Sequence, residues 1–264
     1  MMEINKLIRD LDLIRRNSPL IHSITNYVVM NNTANALLAI GASPVMAHAK
    51  NEVVEMVNIA SALVINIGTL DDQWVESMLI AGKAALANNI PIILDPVGAG
   101  ATTYRTNICN QLIEECRPAI IRGNASEIIA LCGNAAQTKG VDSINTSDSA
   151  IESAKKLAST TKAIVVISGQ TDYITDGIRV EEIHNGHTLM AKVTGMGCTA
   201  TAIVGAFAAV NPDRLEAATH AMAVMGVVGE IAANKSYGNG SMQVNFLDEL
   251  CNIDAEGIRK HIKR

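Results

Sequence analysis

Short apolar runs alternate with segments of helical periodicity, and this alternation restricts the possible folds more than any other feature of the chain. The runs end in polar, glycine or proline residues and read ALVINIG (62–68), IPIILDP (90–96), AIIRGN (119–124) and AIVVISG (163–169). Such runs predict short buried strands. The segments between them, such as DDQWVESMLIAGKAALANN and SDSAIESAKKLASTT, carry helix caps and helical spacing. We therefore predict an α/β fold with a mostly parallel central sheet flanked by helices.

The remaining segments extend this interpretation. INKLIRDLDLIRR near the N-terminus has helical spacing, TDYITD followed by IRVEEIHNG resembles an antiparallel hairpin at the sheet edge, and the final third is nearly all helical in pattern. GASPV, just before Met46, also has the character of a strand. With 264 residues, 48% of them hydrophobic, the chain can bury a large core, and it shows no repeats. We expect a single domain over residues 1–264.

Charge and cysteine usage exclude several classes of protein. The formal net charge of −5 comes without any cluster of Lys and Arg, so we expect no nucleic-acid partner. The five cysteines are scattered and form no CxxC pair, which favours a reducing compartment and a cytoplasmic location. No uninterrupted apolar stretch approaches the roughly 20 residues of a membrane span, so we expect neither export nor membrane insertion.

Polar residues lie at the carboxyl ends of the predicted strands. Ligands of open α/β sheets bind at these strand ends. Asp95 follows one strand, Arg122, Asn124 and Glu127 follow another, and Ser168 ends a third. Carboxylates suit Mg²⁺, so Asp95 and Glu127 are candidate metal residues beside the phosphates of a nucleotide. Each also has a purely structural interpretation, because Asp95 before a proline can begin a turn and Asn124 with Glu127 can cap a helix.

A glycine-rich helix start completes the set of candidate functional segments. KVTGMGCTATAIVGAFAAV (192–210) places Gly195, Gly197 and Cys198 directly before a long apolar helix. Glycines permit a close backbone approach, and the unpaired N–H groups of a helix start attract an anion. The segment thus predicts a phosphate site formed by residues 195–198, including Met196, although a tight turn that leads into a buried helix has the same pattern.

Four stretches together resemble the hydroxyethylthiazole kinase family of thiamine biosynthesis and salvage. They are HSITNYVVMNNTANALLAIGASPVMA, LDPVGAGAT, IRGNASEI and TGMGCTATAIVGAF, in this order, and the likeness runs from about Pro19 to the C-terminal helix. The resemblance implies a ribokinase-like fold, ATP and Mg²⁺, and phosphorylation of the primary alcohol of 4-methyl-5-(2-hydroxyethyl)thiazole. It also implies a homotrimer with active sites between subunits.

The resemblance further assigns roles to the matching residues. It implies that the thiazole lies near Asn26, Met46 and Gly195. Arg122 and Ser168, with Asn124 beside them, fall on nucleotide-contacting positions, and Asp95 and Glu127 fall in the metal and phosphate region.

Cys198 matches the position at which related sugar kinases carry an aspartate base. A helix N-terminus can lower the pKa of a thiol, so we expect Cys198 to be partly ionised in the absence of ATP. Because phosphoryl transfer needs little early proton removal, we expect Cys198 to assist catalysis without being indispensable.

Three other functions remain open from the residues alone. A kinase for another small alcohol would share the nucleotide half and differ around Asn26 and Met46. A dehydratase of the same fold would use ATP to yield a dehydrated product, and a non-catalytic nucleotide sensor would not require the acidic pair together with the glycines.

Overall fold

The structure is a computed structural model that describes residues 2–133 and 143–263, with only the backbone described for residues 143–147. The strands are β1 (Leu20–Ile24), β2 (Ser43–Val45), β3 (Ala62–Asn66), β4 (Ile92–Asp95), β5 (Ile120–Asn124), β6 (Ile164–Ser168), β7 (Asp172–Thr175) and β8 (Val180–Ile183). The helices are α1 (Ile4–Asn17), α2 (Met30–Ile40), α3 (Val53–Ile59), α4 (Asp72–Ala87), α5 (Thr103–Cys116), α6 (Ala125–Leu131), α7 (Ser143–Thr161), α8 (Met196–Val210), α9 (Arg214–Asn234), α10 (Asn239–Asn252) and α11 (Ala255–His261), with a 3-10 helix at Thr188–Lys192.

All eight strands belong to one sheet in the order β2-β1-β3-β4-β5-β6-β7-β8. The first six of these are parallel, and β7 and β8 form an antiparallel hairpin on the β6 edge. The register aligns Asn66 with Asp95 across β3 and β4, and Asn124 with Ser168 across β5 and β6. The order in which strands are added to the sheet reverses at β1, because β2 lies on one side of β1 and β3 and the later strands lie on the other side. Such a switch point opens a crevice at the carboxyl ends of the strands.

Helices cover both faces of the sheet because successive strand residues point to opposite sides. Val64 of β3 belongs to the apolar core formed with α1, α2, α8, α9 and α10, whereas Leu63 and Ile65 belong to the core formed with α3 to α7. Strands that are buried on both faces require continuous apolar sequence, which explains the short uninterrupted runs.

The α/β prediction is confirmed, and so are the four strands, the hairpin and the helical C-terminal third. The strand expected at GASPV is β2. The strand not anticipated is β1, whose LIHSI sequence contains the buried polar residues His22 and Ser23. A polar pair within so short a segment conceals the apolar pattern.

One helix among the described residues, α9, is long and apolar enough by length and composition to cross a membrane. In the structure 83% of its apolar window is buried inside the protein. Its composition therefore reflects its position in the core, where it packs against α8 and α10.

Candidate active site

The predicted site residues follow the carboxyl ends of neighbouring parallel strands and therefore lie along one edge of the sheet. From one side to the other they are Met46 after β2, Asn26 after β1, Asp95 at the end of β4, Arg122 and Asn124 in β5, and Ser168 at the end of β6. Five interstrand spacings of about 4.8 Å make this row about 24 Å long. Such a row can accommodate a small molecule at one end and a nucleotide at the other.

A buried hydrogen-bond network occupies the middle of this row. Asn26 Nδ2 donates to Asn66 Oδ1 over 2.8 Å, and Asn66 Nδ2 donates to Asp95 Oδ2 over 2.7 Å. Thr201, one turn into α8, donates to the same Asp95 oxygen over 2.8 Å. Asn26 Nδ2 also approaches Cys198 Sγ, at 3.5 Å. Asn26, Asp95 and Cys198 are thus brought together by two residues that the sequence analysis did not single out.

The start of α8 has the geometry that its glycines predict. Gly195 is the N-cap residue and has φ +84°, a left-handed conformation that other residues adopt with strain. A Cβ atom there would also lie 2.6 Å from Val29 Cγ1. The backbone N–H of Met196 donates to the Val193 carbonyl over 3.3 Å, whereas those of Gly197 and Cys198 have no acceptor among the described residues. An anion can therefore be bound by this first turn.

Arg122 brings a positive charge to the same turn. Its Nη1 donates to the Gly197 carbonyl over 2.9 Å, and its Nη2 donates to Ser168 Oγ over 2.6 Å. Although the side chain is buried, Nε has no hydrogen-bond partner among the described residues. A buried cation with an unused donor suits an anionic ligand such as a phosphate.

Asn124 and Glu127 form a capping box at the start of α6. Asn124 Oδ1 accepts from the Glu127 N–H over 3.0 Å, and Glu127 Oε2 accepts from the Asn124 N–H over 2.8 Å. The other Glu127 oxygen, Oε1, accepts from the Gly98 N–H over 2.8 Å and so holds the loop after β4. The capping interpretation of these two residues is therefore correct as local structure, and their functional roles stay predictions.

The carboxylates present suit a hard divalent cation. Asp95 Oδ1 accepts no hydrogen bond from the described residues, and both Glu127 oxygens retain a second lone pair beyond their backbone contacts. No group of three or more His, Cys, Asp or Glu side chains in the described part of the chain could enclose a metal ion. This sparse donor set fits Mg²⁺, which keeps several waters and phosphate oxygens beside one or two carboxylates.

Burial determines the protonation of the central groups. Burial raises the pKa of Asp95 to about 6, against the lowering effects of Arg122 and of the Thr201 hydrogen bond. Burial, and then the negative charge of Asp95, also raises the pKa of the Cys198 thiol. The expectation that Cys198 is partly ionised is therefore wrong for this structure, because burial and the negative charge of Asp95 both favour the protonated thiol.

Two further residues shape the site and were missed by sequence reasoning. Asp172, buried at the start of β7, accepts from the Gly169 N–H over 2.9 Å, and burial raises its pKa to about 6. Arg105 in α5 donates to the carbonyls of Ile67, Val97 and Gly68, so it clamps the loops after β3 and β4 together. Asp172 lies in the predicted hairpin but was given no functional role, and Arg105 lies in a helix and reaches the site only through the tertiary structure.

The end of the row that follows β2 and β1, which we call the β1 end, is lined by apolar and aromatic side chains. Tyr27 and Val28, directly after Asn26, are 60% and 67% exposed. The Tyr27 ring packs on Trp74 with centroids 4.7 Å apart, and Met46 is half-buried directly after β2. An exposed apolar surface beside the polar network suits a small heteroaromatic molecule with one polar arm.

Sheet order, helical layers and a glycine-rich helix start at the strand ends define the class of this protein as an α/β protein with the ribokinase-like fold. The pyridoxal kinase from Staphylococcus aureus in complex with pyridoxal shares that fold, with a TM-score of 0.61 and 15% identity over 80% of this chain and 88% of that one. The sequence narrows the class further. Residues 11–256 match the model of the hydroxyethylthiazole kinase family, and the chain belongs to that family.

Individual relatives agree with this assignment. Hydroxyethylthiazole kinase of Leptospira biflexa serovar Patoc is 54% identical over 97% of this chain and 96% of its own. Hydroxyethylthiazole kinase of Syntrophus aciditrophicus is 55% identical over 95% and 93%, respectively. The solved structure of the hydroxyethylthiazole kinase protein from Pyrococcus horikoshii OT3 is similar with a TM-score of 0.91 and 41% identity over 98% of each chain. The resemblance and the fold class inferred from the sequence are thereby confirmed.

Proposed function

We propose that this chain transfers the γ-phosphoryl group of ATP to the primary alcohol of 4-methyl-5-(2-hydroxyethyl)thiazole, giving the thiazole phosphate used for thiamine phosphate synthesis. The observation that carries the proposal is the meeting of Asn26, Cys198 and Asp95 beside the open first turn of α8, with Arg122 behind it. The kinases named above, up to 55% identical, support the choice of substrate.

The substrates would occupy opposite ends of the row of strand ends. The thiazole ring would lie at the apolar β1 end near Met46 and Asn26, with its hydroxyethyl arm toward Cys198 and Gly195. The nucleotide would lie toward β5 and β6, with Arg122, Ser168 and Asn124 near its phosphates. The Gly197 and Cys198 N–H groups would then bind the transferring phosphoryl group between them.

Transfer forms a bond between the hydroxyl oxygen and the γ-phosphorus and breaks the bond from that phosphorus to the β,γ-bridging oxygen, so ADP leaves and the hydroxyl proton passes to solvent. The charge on the phosphoryl oxygens is balanced by Arg122 and by the backbone N–H groups of α8. Asp95 and Glu127 would hold Mg²⁺, directly or through waters, and the ion would neutralise charge on the β- and γ-phosphates.

Cys198 would position the alcohol. Because burial raises its pKa, the thiol is protonated at neutral pH and its sulfur accepts from Asn26. A loose transition state leaves the hydroxyl proton in place until late, so alignment matters more for the rate than early deprotonation. We assign Cys198 a helpful role as a contact of the attacking hydroxyl.

We further propose that the chain acts as one domain over residues 1–264, in the cytoplasm and as a homotrimer with active sites between subunits. The single continuous sheet supports the domain assignment. The exposed apolar side chains of Tyr27 and Val28 beside the site support burial of that edge by another subunit.

ADP release measured across a panel of alcohols tests the substrate assignment. The thiazole alcohol, a hydroxymethylpyrimidine, pyridoxal and a hexose are compared with ATP and Mg²⁺. We expect the highest kcat/KM with the thiazole alcohol, and Asn26→Ala to reduce that value while ATP affinity stays unchanged. A preference for another alcohol would contradict the proposal, as would ATP binding without ADP release from any of them.

A further inference from the structure

We propose that Asn66 is a positioning residue that holds the alcohol side of the site, at Asn26, in register with the phosphate side, at Asp95. This inference rests on the proposed function and adds to it a residue that would contact neither substrate. Asn66 ends β3, the strand next to the switch point in the sheet, and it is 1% exposed.

The direction of the Asn66 side-chain amide follows from its neighbours. The backbone N–H of Gly68 can only donate, and it donates to Asn66 Oδ1 over 2.9 Å. The amide nitrogen must therefore point the other way, where it donates to Asp95 Oδ2 over 2.7 Å. Since the two residues are paired in register on adjacent strands, the sheet itself fixes their separation.

The amide of Asn26 is oriented in the same way. The Val28 N–H donates to Asn26 Oδ1 over 3.1 Å, so Asn26 Nδ2 must face inward. Its two hydrogens point to Asn66 Oδ1, at 2.8 Å, and to Cys198 Sγ, at 3.5 Å. Two backbone N–H groups thus determine the direction of the whole chain of hydrogen bonds from Cys198 to Asp95.

A close approach at Gly68 provides a second, independent constraint. A Cβ atom at Gly68 would lie 2.5 Å from Asn26 Nδ2 and 2.8 Å from Asn26 Cγ, which no side chain permits. Gly68 therefore leaves the Asn26 amide the space next to Asn66. Movement of Asn66 or of Gly68 would displace Asn26 relative to Asp95 without altering the contacts of Arg122 two strands away.

Asn66→Leu tests the role, because leucine is similar in size and can neither donate nor accept. Asn211→Leu is a matched control: Asn211 is buried at the far end of α8, donates to the buried Asp10 over 2.6 Å and accepts from the backbone N–H two residues on, at Asp213. Both substitutions leave a buried carboxylate short of one donor. If the role of Asn66 is merely structural, the two variants should have the same kcat and KM per folded molecule.

We expect Asn66→Leu to lower kcat per folded molecule by about 10- to 100-fold, while KM for ATP changes little, because misplacement by a fraction of an ångström impairs alignment. Asn211→Leu should keep the wild-type kcat and KM once the folded fraction is measured by circular dichroism. A wild-type kcat in Asn66→Leu, or an equal loss in Asn211→Leu, would overturn the proposal. If Asn66→Leu does not fold, Gly68→Ala carries the same expectation of a lower kcat.

The hydrogen-exchange rate of the Asn26 side-chain amide tests whether Asn66 holds this amide in place, and the measurement does not depend on turnover. Its NMR signal is assigned by its disappearance in Asn26→Asp. We expect slow exchange in the wild type and in Asn211→Leu, and exchange at least about tenfold faster in Asn66→Leu. Equal rates in the wild type and Asn66→Leu would overturn the positioning role. A wild-type protein that forms no phosphate ester contradicts only the proposed function, because this exchange measurement still decides the role of Asn66.

Discussion

Arg122 Nη1 donates to the Gly197 carbonyl oxygen over 2.9 Å, which ties the end of β5 to the first turn of α8. The same guanidinium donates to Ser168 Oγ over 2.6 Å, so one side chain connects three elements of the candidate phosphate site. The planar fork of an arginine can make both contacts at once, whereas a single ammonium group cannot make them in the same geometry.

Arg122→Lys should therefore lower kcat/KM for ATP although the positive charge is kept. We expect a loss of about 100- to 1000-fold, the range found when one donor to a developing charge is removed. Arg259→Lys, at an exposed arginine that donates to Asn5, is the control and should leave the kinetics unchanged. Steady-state kinetics over a range of ATP concentrations decide the matter, and wild-type kinetics in Arg122→Lys would remove this residue from the nucleotide site.

Glu127→Gln should weaken both the fold and the response to Mg²⁺. A glutamine has one amide nitrogen that must face either the Gly98 or the Asn124 N–H, so one cap contact becomes a donor facing a donor. We expect a loss of about 1 kcal/mol in the free energy of unfolding. We also expect half-maximal turnover to require more Mg²⁺.

Asp213→Ala separates the two effects, because Asp213 caps α9 through the Leu215 and Glu216 N–H groups away from the site, and alanine removes the accepting oxygen. Urea unfolding should show a similar loss of stability in both variants, and a magnesium titration of turnover should differ only for Glu127→Gln. An unchanged magnesium requirement in Glu127→Gln would leave this residue a purely structural cap.

Cys198→Ala should keep appreciable activity, because the thiol is protonated at neutral pH and contributes mainly position. Gly197→Val should be far less active, since a Cβ there would lie 3.0 Å from Arg122 Nη1 and a branched side chain would fill the anion site. Steady-state rates are compared after circular dichroism confirms folding. An alanine variant as inactive as Gly197→Val would make Cys198 essential.

Cys198→Asp tests the remaining possibility that a base is needed at this position. A carboxylate is ionised at neutral pH, so a base role predicts turnover equal to or above that of the wild type. We expect lower turnover, because the new charge lies close to Asp95 and is repelled by it. ATP binding measured by calorimetry serves as the control for an intact nucleotide site.

Asp95→Asn should stabilise the protein at pH 8 while it abolishes turnover. The native pKa of about 6 exceeds the ordinary value of 3.8, so the folded state binds the proton more tightly, and stability falls as the pH rises between these values. Above pH 6 the ionised carboxylate costs roughly 1–3 kcal/mol, which the neutral amide avoids. Urea unfolding at pH 4 and pH 8 measures this difference, and equal or lower stability of Asp95→Asn at pH 8 would show that the carboxylate is net stabilising.

Most strands and helices could be predicted from the sequence, because their apolar patterns and capping residues are local. Strands such as β3 and β4 are buried on both faces, so each is a continuous apolar run in the sequence. Asn124 and Glu127 form a capping box, which predicts the start of α6. β1 was not predicted because it contains the polar residues His22 and Ser23. Both are buried in the structure, and their burial depends on neighbouring strands rather than on the local sequence pattern.

The candidate site was predictable at the strand ends and at the glycine-rich start of α8. Asn66 did carry such a signal, as a polar residue in the apolar run ALVINIG, and a census of every polar residue at a strand end would have included it. Arg105 and Thr201 lie inside helices, and their contacts with β4 and with the loops after β3 and β4 depend on the packing of α5 and α8. Likewise, the raised pKa of Cys198 follows from burial, which no local sequence motif reports.

Mass spectrometry of 4-methyl-5-(2-hydroxyethyl)thiazole after incubation with the protein, ATP and Mg²⁺ tests the central claim most directly. We expect a phosphate monoester of the intact alcohol, formed in equal amount with ADP and absent when ATP is omitted. Recovery of the unmodified alcohol from a folded protein that binds ATP, or its conversion to a dehydrated product, would contradict the account.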